Sequence, residues 1–285
     1  MGGIARTALL MALLTGLLML VGVAAGYILG VSVTYTLGLF VVMAIIMNLS
    51  MYWFADRWVL SIYRAKIVSE AEQPKLHQMV ASLASSAGLP KPKVAIIPLD
   101  VPNAFATGRS PSHSVVAVTQ GAMNLLDEDE LKGVLGHEMA HVKNRDMLTN
   151  TMAAIIGSVI TYVTYFSMFG GGRRDRDGGA GLLAILAVIL IPFAAMLVRL
   201  SISRGREYAA DEDGAKVSGK PLALANALQK LESAAKNKPL RQGNPSTAHM
   251  FIVNPFSGVT VASLFSTHPP TQLRIARLES LAKAY

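Results

Sequence analysis

The chain of 285 residues contains 52% hydrophobic but only 15% charged residues, and its mean hydropathy is +0.42. These values exclude an ordinary soluble domain and favour a membrane protein. The formal net charge of +8 does not indicate nucleic acid as a partner, because the basic residues flank apolar segments and no nucleic-acid-binding motif is present. The chain has no cysteine, which excludes disulfides and thiolate ligands, so a zinc site would be built from histidines and carboxylates.

The amino-terminal part predicts two membrane-spanning helices. From Thr7 to Ala55 the chain carries no charged side chain and no histidine, which is enough for two spans of about 20 residues each. We expect these helices near residues 8–29 and 34–54, joined by a short loop at Gly30. A cleavable signal peptide at the amino terminus is the alternative, but the apolar stretch is far longer than a signal-peptide core.

The next part, residues 56–146, is predicted to be cytoplasmic, because basic residues follow the second span directly. Its pattern indicates a helix near 74–87 and short strands around 94–97 and 115–118. An extended segment between the strands precedes a histidine motif, and such a segment can be an edge strand that pairs with a peptide backbone. An ordinary hairpin strand is the alternative. The candidate substrate-contacting residues of this segment are Asn103, Ala104 and Phe105.

A His-Glu-x-x-His motif follows at His137, Glu138 and His141. On a helix the two histidines are separated by about 40° around the axis, so both imidazoles can reach one metal ion, and Glu138 can address a water on it. Asp127 and Glu130 have the spacing of a capping box at the start of this helix. Two histidines on an ordinary amphipathic helix are the alternative. The histidines without a partner at ligand spacing are predicted to lie on the surface: His77, His113 and His249.

Two more apolar stretches, residues 147–172 and 178–198, are each long enough to cross a bilayer. The link between them carries three arginines, and basic residues disfavour the placement of a loop on the outer face of the membrane. A hairpin that dips into the membrane or packs on the catalytic part is therefore the alternative to two crossings, and either arrangement returns the chain to its starting side. The predicted division is 1–55 and 147–200 in the membrane, with catalytic parts at 56–146 and 201–285.

Glu207 is the best candidate for a third metal ligand, because a catalytic zinc usually takes three protein ligands and one water. Asp211 follows one helical turn later and can accept a hydrogen bond from a ligand histidine, which fixes that ring. A solvated helix face is the alternative for these two carboxylates. Further along, His268 is a candidate donor to a developing oxyanion, with Arg274 near it. A purely structural histidine is the alternative there.

Four segments together resemble the HtpX family of bacterial membrane zinc proteases, which is related to the CAAX prenyl proteases. They are residues 103–108, 137–146, 206–211 and 265–270. The resemblance implies a mainly α fold with a small β-sheet, comprising about four transmembrane helices and a zincin-like metalloprotease domain. It also implies one Zn²⁺ per chain, bound by His137, His141 and Glu207, with Glu138 as the base that activates the zinc-bound water.

The resemblance further implies a multi-pass protein of the bacterial inner (plasma) membrane with a cytoplasmic active site, acting in stress response and protein quality control. Its expected partners are the lipid bilayer and polypeptide substrates, namely misfolded or damaged membrane proteins. Two rival functions are less well supported by the residues. In a scaffold with a structural zinc, four protein ligands would close the coordination sphere of the metal. A transporter would need ionisable groups inside the apolar segments, which carry none.

Overall fold

The computed structural model describes residues 2–169, 203–237, 250–254 and 269–284. Within these residues the chain is mainly helical with one four-stranded sheet, as predicted. The helices are α1 (Gly3–Leu29), α2 (Val33–Ile62), α3 (Pro74–Ala87), α4 (Gln120–Leu125), α5 (Glu128–Lys143), α6 (Asp146–Phe169), α7 (Arg204–Ser218), α8 (Pro221–Asn237) and α9 (Thr271–Ala282). The strands are β1 (Lys66–Ile67), β2 (Lys93–Ile97), β3 (Ala104–Gly108) and β4 (Ser114–Thr119).

Helices α1 and α2 are long and apolar enough to cross a membrane. Only 17% and 11% of their most apolar stretches are buried within the protein, and side chains such as Leu20, Tyr27 and Ile46 are more than half exposed. Such a continuous apolar surface requires lipid or another apolar cover. The two helices approach closely at Gly26, where an added Cβ would lie 2.6 Å from Thr36 Oγ1, as small residues permit in membrane helix pairs.

The predicted count of four transmembrane helices is not confirmed. In the part of the chain that the structure describes, two helices have the required length and apolarity. Helix α6 covers most of the stretch predicted at 147–172, but its first turns are buried in protein, with Met147, Met152 and Ile156 at most 4% exposed. They pack against α1, α2 and β3. The stretch predicted at 178–198 lies outside the described residues.

The sheet has the strand order β1-β2-β4-β3, with β2 and β4 parallel and the two outer strands antiparallel to their neighbours. Among the described strands β3 therefore lies at the edge of the sheet, as predicted, and it also forms a hairpin with β4, which was the alternative. Its pairing with a peptide stays a prediction. One face, including Val94 and Val116, packs with the helices of the catalytic part, and the other, including Ala95, Phe105 and Ala117, packs with α1, α2 and α6. Because both of their faces are buried, the central strands β2 and β4 contain uninterrupted apolar runs at residues 94–97 and 115–118.

Helix α5 is the central helix of the catalytic part. Its start is the predicted capping box: Asp127 Oδ1 accepts from the Glu130 N–H and Glu130 Oε2 accepts from the Asp127 N–H, both at 2.9 Å. It ends at Lys143, and it packs against α3, α7, α8 and β3. The histidine motif is thus buried on one helix whose start is fixed by a local capping box.

The prediction that His77 lies on the surface is wrong. His77 is only 8% exposed, and its Nε2 atom lies 3.0 Å from the carbonyl oxygen of Val68. This ring fills the gap between α3 and the chain leading into the sheet, where a polar ring atom satisfies a buried carbonyl. His113 is exposed, as predicted, and His249 lies outside the described residues.

Candidate metal centre

The two histidines of the motif face each other on α5. Their Nε2 atoms are 3.2 Å apart, and both side chains are buried, with His137 2% and His141 8% exposed. Two nitrogens bound at about 2.0–2.1 Å to one tetrahedral zinc would lie about 3.3 Å apart. The helical spacing therefore aims both rings at one point, as the sequence predicted.

Glu207 reaches the same point from α7. Its Oε1 atom lies 3.5 Å from His141 Nε2 and its Oε2 atom 3.8 Å from His137 Nε2. The three side chains offer ligand atoms that all lie within 4.8 Å of one another, and this is the one group of that kind among the described residues. Two imidazoles and a carboxylate in a buried position are the donor set that zinc prefers in catalytic sites, so the residues present fit a zinc ion.

Two glycines let α5 and α7 approach closely enough for this arrangement. A Cβ added to Gly214 would lie 2.5 Å from the backbone nitrogen of His137, and one added to Gly136 would lie 2.7 Å from the carbonyl oxygen of Gly214. Both clashes are with backbone, which cannot move aside without separating the helices. Sequence reasoning did not single out these glycines, because their role depends on a contact between distant segments.

Asp211 supports His137 from behind the metal site. Its Oδ1 atom lies 2.9 Å from His137 Nδ1, while Arg274 donates from Nε to Oδ2 at 2.8 Å and from Nη2 to Oδ1 at 2.7 Å. Burial raises the pKa of Asp211, but the charge and hydrogen bonds of Arg274 outweigh this and hold that pKa well below its usual range. The carboxylate is therefore ionised and can fix the tautomer and orientation of His137.

Glu138 lies near the three ligand side chains and is hydrogen-bonded to the edge of the sheet. Its Oε2 atom accepts the Ala106 N–H at 2.9 Å, and the residue is 5% exposed. Burial raises the pKa of Glu138, partly offset by the neighbouring His137 and His141. A raised pKa makes the carboxylate a stronger base than an ordinary glutamate.

Burial lowers the pKa of His141, but its contact with Asp146 and the charges of Glu207 and Glu138 prevail and raise that pKa to about 9. A histidine must be neutral to bind a metal ion, so zinc binding at this site would release a proton. Sequence reasoning did not identify Asp146, which lies beside His141 Nδ1 at 3.6 Å.

The other predicted site residues lie around this centre. Asn103 uses its side chain to hold residues 250–252: Nδ2 donates to the Met250 carbonyl at 3.2 Å and Oδ1 accepts the Ile252 N–H at 3.1 Å. Ala104 and Phe105 belong to β3. Arg274 also donates to the Ile252 carbonyl at 3.1 Å. His268 lies outside the described residues, so an oxyanion role for it and for Arg274 stays a prediction.

Two apolar helices, a small sheet and a buried His-Glu-x-x-His helix completed by a glutamate define a membrane metalloprotease. Residues 70–282 match the profile of Peptidase family M48, and the chain belongs to this family.

Related proteins agree with this assignment. A "Protease HtpX homolog" of Pyrococcus furiosus is 56% identical, covering 97% of this chain and 95% of that protein. Proteins of the same name are 52% identical in Thermococcus sibiricus (98% and 96% covered) and 48% identical in Syntrophobacter fumaroxidans (99% and 100% covered). The resemblance predicted from the motifs is therefore confirmed.

A solved structure shows the same fold. The crystal structure of S. mikatae Ste24p matches with a TM-score of 0.51 at 17% sequence identity. The match covers 93% of this chain and 62% of that chain, so this chain corresponds to less than two thirds of the Ste24p length. At this identity the likeness concerns the fold alone.

Proposed function

We propose that this protein is a zinc-dependent endopeptidase in which His137, His141 and Glu207 bind one zinc ion and Glu138 is the general base. The observation that carries the proposal is the convergence of three buried ligand groups beside a fourth side chain, the carboxyl group of Glu138, which is hydrogen-bonded to β3. A structural zinc would be closed by a fourth protein ligand, whereas Glu138 is held by the Ala106 N–H. Among the described residues no further ligand joins this group, which would leave a coordination position for water, as in catalytic zinc sites.

When bound, zinc would acidify a water molecule and polarise the substrate carbonyl. The protein side chains then supply the proton transfers. Glu138 takes a proton from the attacking water and later delivers it to the leaving amine. The Ala106 N–H holds Oε2, so Oε1 is the atom that carries the proton. Burial raises the pKa of Glu138, which makes its carboxylate a stronger base toward the attacking water.

Substrate polypeptides bind, in this proposal, as an added strand on β3. Ala104 pairs with Val118 and Ala106 with Val116 in an antiparallel ladder, and the Asn103 carbonyl accepts the Thr119 N–H. In such a ladder, residues that are hydrogen-bonded to the partner strand alternate with residues that are not. The backbone N–H and C=O groups of Ala104, Ala106 and Gly108 therefore point away from β4. An outward edge recognises any extended backbone, which suits substrates that are misfolded or damaged membrane proteins.

Ala104→Pro tests strand addition, because it removes an outward donor that is not the one held by Glu138. We expect a higher KM for an unstructured peptide while zinc stays bound. Ala106→Pro makes a poor substitute, since the Ala106 N–H contacts Glu138 and its loss would also lower kcat. A folded Ala104→Pro protein with an unchanged KM would rule against pairing at this edge.

The proposed location is the bacterial inner (plasma) membrane, with several passes and a cytoplasmic active site, and the division into membrane parts 1–55 and 147–200 belongs to the same proposal. It is supported by the exposed apolar surfaces of α1 and α2 and by basic residues beside the apolar segments. Reporter fusions at Tyr285 test the orientation. An externally active reporter there would contradict it.

The enzymatic proposal is tested by cleavage of casein with detergent-purified protein, measured together with zinc content. We expect activity with zinc, none after chelation, and recovery when zinc is returned. Zinc that stays bound without any proteolysis would support the scaffold function instead.

A further inference from the structure

The turn between α5 and α6 places a buried carboxylate behind the second histidine of the motif. Helix α5 ends at Lys143, Arg145 adopts a left-handed conformation with φ of 56°, and α6 begins at Asp146. Because of this sharp turn, Asp146 comes back toward the metal helix and is only 1% exposed. A non-glycine residue in this backbone region is uncommon, so surrounding contacts must hold the turn.

Two arginines from distant segments hold this carboxylate. Arg6 Nη2 lies 2.6 Å and Arg206 Nη1 lies 2.7 Å from the same oxygen, Asp146 Oδ1. The second oxygen, Oδ2, faces His141 Nδ1 at 3.6 Å. Because both guanidinium groups engage Oδ1, they fix the rotation of the carboxylate and direct Oδ2 at the ring that carries a metal-binding nitrogen on its other side.

The first two turns of α1 also contact the α5–α6 turn and the start of α6 at two other positions. A Cβ added to Gly3 would lie 2.6 Å from the Arg145 carbonyl oxygen, so only glycine permits this approach. The hydroxyl groups of Thr7 and Thr149 are hydrogen-bonded to each other at 2.9 Å in a buried position. Gly3, Arg6 and Thr7 lie on one side of the helix, which docks as a unit beside the end of α5.

We infer that Asp146 is a positioning residue for His141, and that Arg6 makes the first turns of α1 a part of the metal site. The inference rests on the zinc site proposed above. It differs from a simple anchor for α1, because the contact chain runs from Arg6 through Asp146 to His141 itself. Loss of Arg6 or Asp146 should therefore change the metal environment and not only the packing of a membrane helix.

The test uses the full chain purified in detergent, loaded either with zinc or with cobalt. The variants are Asp146→Asn, Arg6→Gln and the conservative Arg6→Lys, and the control is Arg57→Gln, which removes an exposed arginine near the end of the other apolar helix. Three quantities are measured on each protein: the rate of zinc release to a chelator, the visible spectrum of the cobalt form, and the thermal unfolding midpoint.

We expect Asp146→Asn to release zinc about 10–100-fold faster and to alter the cobalt spectrum, as loss of a partner behind a ligand histidine usually does. Arg6→Gln should change both quantities in the same direction by a smaller factor, since Arg206 still holds Oδ1, and Arg6→Lys should restore most of the wild-type behaviour. Arg57→Gln should leave both unchanged.

The inference is overturned if Asp146→Asn and Arg6→Gln lower the unfolding midpoint but leave the zinc release rate and the cobalt spectrum at wild-type values. If Asp146→Asn fails to fold, Arg6→Gln decides alone by the same two readouts. A wild-type protein that binds no zinc would instead contradict the proposed function, so the two failures are distinguishable.

Discussion

The two metal-facing histidines of α5 are supported by carboxylates from different segments of the chain. His137 contacts Asp211 at 2.9 Å, and Asp211 is held by two hydrogen bonds from Arg274 on the carboxyl-terminal helix. His141 faces Asp146 at the longer distance of 3.6 Å, and that carboxylate is held by arginines on α7 and on the first apolar helix. One support lies within the catalytic part, and the other depends on how α1 is docked.

This difference indicates how the site depends on the membrane part of the chain. The contact between His137 and Asp211 is short, and Asp211 accepts two hydrogen bonds from Arg274. None of these three residues belongs to α1. The support of His141 passes partly through Arg6, which lies in the first turn of α1. A disturbance of the first apolar helix should therefore reach the metal through His141 first, while His137 keeps its orientation.

The largest effect is expected on the His137 side from Arg274→Gln. Arg274 is 1% exposed and engages the carboxylate of Asp211 while lying 4.0 Å from Glu207. Its removal would break the buried ion pair with Asp211, and the loss of one partner of such a pair costs about 3–5 kcal/mol in unfolding free energy. Denaturant unfolding in detergent measures this loss.

Arg277→Gln is the matched control for that experiment. Arg277 lies on the same helix, but it is exposed and stacks over the ring of Tyr208, so its loss should cost far less. Similar losses for the two variants would show that Arg274 does not have the central role described for it.

A second effect concerns acid stability. The pKa of Asp211 is held low by Arg274 against the effect of burial, so its folded value lies below the ordinary value of about 4. Its ionised form therefore stabilises the fold above about pH 4, and this contribution is lost as the pH falls toward the folded pKa. Asp211→Asn should be less stable than wild type at neutral pH, with a difference that shrinks in acid. A difference independent of pH would contradict this.

A smaller effect is expected on the His141 side from Gly3→Ala. The added methyl group would meet the Arg145 carbonyl oxygen and displace α1 without removing a charge. We expect zinc to be released faster than from wild type, by less than about 10-fold, because Arg206 still contacts Asp146. Gly2→Ala is a suitable control, since an added Cβ there meets nothing within 4 Å. Equal rates of zinc release from the two variants would show that the docking of α1 does not affect the metal site.

The smallest effect is expected from Glu72→Gln on the protein surface. The pKa of Glu72 is lowered to about 2 by its hydrogen bonds with Lys66 and Ser69. The ion pair of Glu72 with Lys66 is nevertheless exposed, and it is far in sequence from Asp211 and Asp146. Solvent screens such a pair, so zinc release should equal that of wild type. A measurable change would mean that zinc release reports general stability and does not distinguish the two sides.

Local sequence signals predicted much of this structure. The capping box at Asp127 and the four-residue spacing of His137 and His141 act within one helix, so both could be read directly. Glu207 could be found because a zinc site needs a third donor and because the HtpX resemblance points to that segment. For β3 the sequence left an edge strand and a hairpin strand open, and the structure shows that the strand is both.

Contacts between distant segments could not be predicted in this way. Arg6 and Asp146 are 140 positions apart, and a lysine or arginine beside an apolar segment normally indicates only membrane orientation. The fit of Gly214 against His137 depends on how two helices cross. His77 was misplaced because its partner is a backbone carbonyl, which leaves no signal in the sequence.

The central claim is the division of roles between Glu207 as a ligand and Glu138 as a base. It is tested most directly by measuring zinc content in Glu207→Ala and Glu138→Gln, each purified and shown to be folded. We predict about one zinc per chain in Glu138→Gln, which would lack proteolytic activity, and almost none in Glu207→Ala, because only the second variant removes a metal ligand. Equal zinc content in the two variants, whether both retain it or both lose it, would contradict this division.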